Sequence, residues 1–338
     1  MTAPAIVAAA GRARIGVISN PGSHKNKGGL GAMTQLLQEA PNARHVVLDD
    51  ITDIPGILAG FAAAGVEVVT VAGGDGTVQA VLTELFGRRP FARPPLLAVV
   101  PRGMTNMIAD DVGLARRGAR DTLGALGRLL AATPEALAAT AATRRILRAE
   151  NALNREPQYG MFFGGAGICR AIEACRSKVH PYNIKADSAA AVTLAGLLGG
   201  WLLGRGKDAG KDGGIFYGDR ITMTVDDCPA ETMEALVILA TTLDRLILGS
   251  RPFWGEASGH LRFTAIVYPP KQLLRHAWRI LYGGAQRKLP AASYRSRASD
   301  RVALDMDCPF TLDGEIFQPT PGRELILTAA DEARFVRL

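Results

Sequence analysis

Gly73-Gly74-Asp75-Gly76-Thr77 lies between two apolar runs, and the reading of that junction decides the first half of the fold. Residues 66–72 (VEVVTVA) are short and β-branched, the pattern of a strand buried on both faces in a parallel sheet. Residues 78–86 (VQAVLTELF) have helical spacing and stop at Gly87. A strand, a glycine turn and a helix start together form an anion site. Glycines let the backbone come close to a phosphate, and unpaired N–H groups at the helix N-terminus face it. Asp75 adds a carboxylate there, with Mg²⁺ the natural mediator between that charge and a phosphate. A plain strand-to-helix turn would use Asp75 only as a cap, but five residues in this order are more specific than GG or DG alone.

Working outward, residues 14–19 (RIGVIS) read as a strand running into the turn cluster Asn20-Pro21-Gly22-Ser23. Helical spacing follows over 30–40, a strand over 44–48, a helix over 54–65, and a buried strand over 96–100 that ends at Pro101. Alternating strands and helices argue for an α/β domain, a parallel sheet flanked by helices. Ligands in such sheets sit beyond the carboxyl ends of the strands, where loops 20–29, 73–77 and 101–106 fall. Residues 115–148 are Ala- and Leu-rich and read as helical, with Pro134 at a helix start. After them come short strands at 159–163, 221–225, 236–240, 261–268, 301–304 and 324–328, mostly without strand–helix alternation, a second and β-rich domain. The expected division is 1–140 for the α/β domain and 141–338 for the β-rich domain. The last strand or tail is expected to return to the first domain.

At 338 residues and 48% hydrophobic, the chain is long enough for two cores. Its 39 basic and 32 acidic residues give a net charge of +7, which suits an anionic partner. No aromatic-studded basic stripe appears, so nucleic acid is not the expected partner. Cys169, Cys175, Cys228 and Cys308 show no CxxC spacing and no disulfide framework, which makes a reducing cytosol the default. Residues 1–10 are apolar but lack the basic start of a signal peptide. No stretch reaches the roughly 18–20 apolar residues of a membrane span. The longest candidate, 189–204, is broken by glycine pairs.

With these loops placed, the chain resembles the diacylglycerol kinase catalytic-domain family, whose members include bacterial lipid kinases, sphingosine kinases and ceramide kinases. Ser19-Asn20-Pro21-Gly22-Ser23 is similar to the family's NPxSG-type loop, and Gly73 to Thr77 matches GGDGT without change. Pro101-Arg102-Gly103-Met104-Thr105-Asn106-Met107 stands in the place of P-x-G-T-x-N-D, and Leu312-Asp313-Gly314-Glu315 matches the late DGE motif. GGDGT alone is shared with nicotinamide-nucleotide kinases, and GGDG with phosphofructokinases; the late DGE and the β-rich second half favour the lipid branch. The resemblance implies a C-terminal β-sandwich-like domain and an active site in the cleft between the domains.

It also implies ATP and Mg²⁺. Phosphoryl transfer needs positioning and charge neutralisation, and the chain has neither a GxxxxGK[ST] loop nor a kinase GxGxxG. Phosphate binding is therefore expected of Gly73, Gly74, Gly76 and Thr77 through backbone donors, with Thr77 capping the helix. Asn20 and Ser23 would add side-chain donors, Gly103, Thr105 and Asn106 a second loop, and Lys25 and Lys27 charge. By resemblance Glu315 is the general base for a lipid hydroxyl, Asp75 holds Mg²⁺ through water, and Asp313 is a further metal candidate. Asp313-Gly314 is equally a hairpin signal.

Two departures stand out. Met104 replaces the family's Thr, and Met107 replaces the Asp of most bacterial members. Asp110 and Asp111 could substitute from the same helix, or be an exposed charge pair. Residues 257–262 occupy a segment that holds a structural metal in some members, and Arg262 replaces a ligand carboxylate there.

On the lipid side, residues 189–204 could wall an acyl pocket or form a core helix. Residues 271–281 form a basic amphipathic helix, and Arg287, Lys288, Arg295 and Arg297 follow it. These could rest on an anionic membrane, placing the protein in the cytoplasm, peripheral at the inner membrane face. The expected function is phosphorylation of a primary hydroxyl of a membrane lipid, diacylglycerol or a ceramide or long-chain base. The alternatives are a catalytically silent nucleotide- and lipid-binding regulator and a soluble-substrate kinase of the NAD kinase type.

Overall fold

The computed structural model of the chain describes residues 11–23, 26, 31–114, 121–179, 217–255 and 259–338. These divide into two compact units, one of residues 1–145 and 331–338, the other of residues 146–330.

The first unit is built on parallel strands β1 (Ile15–Ser19), β2 (Ala43–Val47), β3 (Val68–Gly73) and β4 (Leu96–Pro101). Their order is β2-β1-β3-β4, and Phe335 near the end of the chain adds to β4 beside Leu97, also parallel. Helices α1 (Gly31–Gln38), α2 (Ile54–Ala63) and α3 (Asp75–Gly87) alternate with them, followed by α4 (Met107–Val112), α5 (Thr122–Ala131) and α6 (Pro134–Thr140). Strand residues alternate between faces, as the two-residue period requires. Ile15, Val17, Val68, Ala72, Ala98 and Val100 pack with Met33, Leu37, Leu126, Leu129 and Leu137 in one cluster.

The other face carries a tight fit. Gly16 lies under the Phe61 ring of α2, and a Cβ at Gly16 would stand 2.4 Å from two ring carbons. Glycine is needed there because the helix lies directly on the strand.

Of the stretch 115–148 read as helical, the described residues are helical over Thr122–Ala131 and Pro134–Thr140 and no further. Thr133 accepts a hydrogen bond from the N–H of Ala136 and starts α6 with Pro134 behind it. From Ala141 the chain is extended as β5 (Ala141–Glu150), whose far end pairs with β6 (Gln158–Gly160). Strand pairing overrides the helix propensity of alanine in this stretch.

The second unit is antiparallel. Its strands are β7 (Phe162–Ala166), β8 (Asp219–Val225), β9 (Glu231–Thr241), β10 (Leu261–Val267), β11 (Tyr294–Ser299), β12 (Arg301–Asp305), β13 (Phe310–Leu312) and β14 (Glu315–Phe317). β15 (Leu325–Val336) opens beside β12, with Leu325 to Thr328 in register. β9 is the branching strand: one stretch pairs with β8, the next with β7, and β10 runs along the residues 235–241. The core is formed by Phe163, Ile221, Ile238, Phe263, Leu304, Phe310 and Leu327, with others. Among the described residues of this unit are the helices α7 (Gly167–Val179) and α8 (Leu273–Tyr282). The sequence reading placed no helix at α7, and it missed β11, β13 and β14 as strands.

Gly16→Ala is expected to destabilise the first unit by about 1–3 kcal/mol through overpacking. Urea unfolding measures it, and adding Phe61→Leu should recover most of the loss.

Candidate functional site

The glycine turn forms as its sequence suggests. β3 ends at Gly73, Gly74 is the N-cap of α3 in extended conformation, and Asp75 is the first helical residue. A Cβ on Gly73 would lie 2.7 Å from Cβ of Thr77, so glycine allows Thr77 to fold back over the turn. The expected capping role of Thr77 is not what the structure has. No side chain caps α3, and the Thr77 N–H is spent on the Gly74 carbonyl at 3.1 Å. Its hydroxyl instead accepts from Nδ2 of Asn20 at 2.9 Å. The first-turn amides of Asp75 and Gly76 remain the ones that helix geometry leaves without an intrahelical acceptor.

Asp75 ties this turn to the next loop. Its oxygens accept the backbone N–H groups of Met107 (3.0 Å) and Ile108 (2.9 Å), which open α4. Burial pushes the Asp75 carboxyl up to about 6. The two amide bonds pull the other way without cancelling that effect, and the nearby Asp110 charge adds to it. Desolvation therefore outweighs two hydrogen bonds here, leaving a carboxylate short of positive charge.

The second loop closes on itself. The Asn106 side chain accepts from the Gly103 N–H at 2.7 Å and donates to the Gly103 carbonyl at 2.8 Å. Asn106 sits at φ 51° to do so. The loop also meets the glycine turn directly: a Cβ on Gly103 would stand 2.5 Å from Cα of Gly74. Arg102 donates its N–H to the Gly73 carbonyl at 3.0 Å. Met104 and Thr105 point outward.

Asn20 braces the turns with most of its side chain. Its Nδ2 goes to Thr77 and its Oδ1 accepts from Gly22 N–H at 2.9 Å. Asn26, which the sequence reading did not single out, donates to the carbonyls of Asn20 (2.7 Å) and Ala72 (3.2 Å). Ser23 is buried beside them. Lys25 and Lys27 lie outside the described residues. So do residues 189–204.

Asp110 and Asp111 are not an exposed pair. Asp111 is 5% exposed and joined to Arg144, Nε to Oδ2, at 2.9 Å. Asp110 is the one near Asp75.

The late motif is a two-residue hairpin between β13 and β14. Asp313 (φ 49°) and Gly314 (φ 94°) take the left-handed conformations that such a turn requires. Asp313 spends both oxygens on backbone, accepting from the N–H groups of Met161 (2.8 Å) and Phe162 (2.9 Å), and is 3% exposed. A Cβ on Gly160 would lie 2.3 Å from Asp313 Oδ2. That packing makes Asp313 a clamp on the hairpin rather than an open metal ligand. Glu315 is the next residue out and is exposed.

Around α8 the basic cluster divides. Arg287 is used internally, donating to carbonyls of Arg279, Ile280, Arg251 and Phe253 and lying 5.3 Å from the Trp254 ring centre. Arg295 pairs with Glu231, and Arg297 with Asp226. Arg262 pairs with Asp244 at 2.8 Å. The outer face of α8 shows a feature absent from the charge count. Leu274, Trp278 and Tyr282 are 36%, 72% and 39% exposed at successive turns, and the two aromatic rings lie 4.5 Å apart. Leu273, His276 and Ile280 face inward. Among the described residues, no helix is long and apolar enough to cross a membrane.

Residues 14–139 match the family model of the diacylglycerol kinase catalytic domain. No curated protein matches the chain by sequence. Among solved structures, a diacylglycerol kinase from Bacillus anthracis str. Sterne superposes with a TM-score of 0.56. Two structures from that organism, named provisionally as diacylglycerol kinases, superpose at 0.62 and 0.61. Each is 15% identical and aligned over 95% of this chain and 96% of its own, a likeness of fold.

Gly103→Ala is expected to separate the two loops and lower stability by about 1–3 kcal/mol. Denaturant unfolding would read the effect.

Proposed function

We propose, from the match of residues 14–139 to the diacylglycerol kinase catalytic-domain model, that the chain is a lipid kinase that transfers the γ-phosphoryl group of ATP to a primary hydroxyl of a membrane lipid. The observation that carries the reading is the joined pair of glycine loops: Gly74 packs on Gly103, which sets the first-turn amides of α3 beside the loop after β4. The amides of Asp75 and Gly76 and the Thr77 hydroxyl are the donors for that chain.

A divalent cation fits the carboxylates beside these donors. Asp75 is raised by burial and by Asp110, an excess of negative charge that such an ion offsets. Mg²⁺ usually keeps several waters and takes one or two carboxylates plus phosphate oxygens, so Asp75 with Asp110 would suffice. When bound, it would neutralise phosphate charge. Asp75 also holds α4 and the second loop in place through its two amide contacts.

Glu315 is the base in this proposal. Its hairpin is rigid because Asp313 is clamped, and its own carboxylate is exposed and able to accept the proton of the lipid hydroxyl. The lipid is a diacylglycerol or a ceramide or long-chain base. Radiolabelled ATP with Mg²⁺ and mixed lipid micelles tests the function, and absence of labelled lipid product overturns it. Glu315→Gln is expected to cut turnover by about 100-fold or more while calorimetry with ATP stays close to wild type. ATP binding without product in the wild type would favour the silent regulator, which Met107 at the start of α4 motivates. NAD-dependent ADP release without lipid would favour the soluble-substrate kinase.

The outer face of α8 supports peripheral contact with an anionic membrane. Trp278 and Tyr282 suit the headgroup layer, and Lys271, Arg275 and Arg279 beside them are exposed. Each cation near such a surface contributes up to about 1 kcal/mol. Trp278→Ala should weaken binding to vesicles containing phosphatidylserine several-fold, and Arg275→Glu with Arg279→Glu should remove the preference for anionic lipid. Vesicle sedimentation measures both; unchanged partition in both variants would exclude this face.

A further inference from the structure

Arg102 carries a positive charge without a counter-charge beside the two glycine loops. Its Nε is fully buried and has no hydrogen-bond partner. Nη2 reaches only the sulfur of Met33 in α1, at 3.9 Å, a weak acceptor. Among the described residues, no carboxylate pairs with it. Burial lowers its affinity for the proton, the direction expected of a cation drawn from water without an opposing charge.

Such an arrangement costs the ligand-free protein free energy, because a partly buried guanidinium without acceptors forfeits its hydration. The backbone holds it there: the Arg102 N–H is bonded to the Gly73 carbonyl, and Gly103, the next residue, packs on Gly74. The guanidinium is thereby fixed to the same backbone that opens the phosphate-binding turn. Among the remaining side chains of its loop, Thr105 is exposed and offers one neutral hydroxyl, and none carries positive charge. Met104 is apolar and exposed, and Asn106 is closed on Gly103.

We propose that Arg102 is a specificity-determining residue of the nucleotide site, its guanidinium reading the phosphate chain of the bound nucleotide as the missing acceptor. The proposal rests on the nucleotide reading above and adds a residue that the motif comparison leaves as an unassigned position. A planar fork of donors suits adjacent phosphate oxygens better than an ammonium does. Binding would turn an unsatisfied cation into a paired one, so affinity should rise steeply with the number of phosphates.

The test compares wild type, Arg102→Met and Arg102→Lys by calorimetry with ATP and with AMP, and by thermal melting without ligand. Arg102→Met keeps the stem volume beside Met33 and removes the charge. It should melt at or above the wild-type temperature, bind ATP at least tenfold more weakly, and change AMP affinity much less. Arg102→Lys should fall between the two for ATP. Wild-type ATP affinity in Arg102→Met overturns the proposal, as does an equal loss for ATP and AMP. If both variants melt well below wild type without ligand, Arg102 is a structural residue and the proposal fails. A wild-type protein that binds no ATP overturns the nucleotide reading and this inference with it.

Discussion

The contact on which the first unit's site depends is the carboxylate of Asp75 against the amides of Met107 and Ile108. It joins the glycine turn after β3 to the loop after β4, two segments whose strands are already in register from Val68 and Leu96 to Gly73 and Pro101. Register brings the loops to the same edge, and the carboxylate then fixes their separation. Charge-assisted hydrogen bonds of this kind contribute about 1.5–3 kcal/mol each. Burial of the carboxylate works against them, so the clasp holds its geometry while remaining short of positive charge. Gly74 and Gly103 meet at that junction with no room for a side chain.

Both Asp-Gly dipeptides of the motifs use aspartate in the same physical way. Asp75 binds two consecutive amides of α4, and Asp313 binds two consecutive amides at Met161 and Phe162. In each case the acid is turned into backbone scaffolding. Glu315, after one clamp, is exposed, whereas Thr77, after the other, is buried with its hydroxyl bonded to Asn20. A metal-centred reading of Asp313 from its motif alone overlooks this, because hydrogen bonds to distant backbone have no signature in local spacing.

Positive charge is likewise sorted by acceptors and not by position along the chain. Arg287, Arg295, Arg297 and Arg262 lie in one basic stretch of sequence or near it, yet each is matched with carbonyls or carboxylates. The cations on the outer face of α8 stand beside an exposed aromatic pair. Arg102, inside a motif, has among the described residues only the Met33 sulfur for its guanidinium. The net charge of +7 therefore says little about where an anion would bind.

The alternation of β-branched runs, glycine turns and helical spacing determined the parallel half of the fold, because a strand buried on both faces tolerates few other sequences. The Asp313-Gly314 turn was legible for a similar reason: two left-handed residues in succession call for such a dipeptide. Residues 141–148 were misread as helix because their Ala-rich composition speaks to local propensity, while pairing with β6 is a contact made elsewhere in the chain. The roles of Asn20, Asn26, Asn106 and Asp111 waited on tertiary structure, since each binds partners set by the folded backbone. The outward turn of Trp278 and the isolation of the Arg102 guanidinium were also decided there: exposure and the absence of an acceptor are properties of surroundings, which a linear string does not contain.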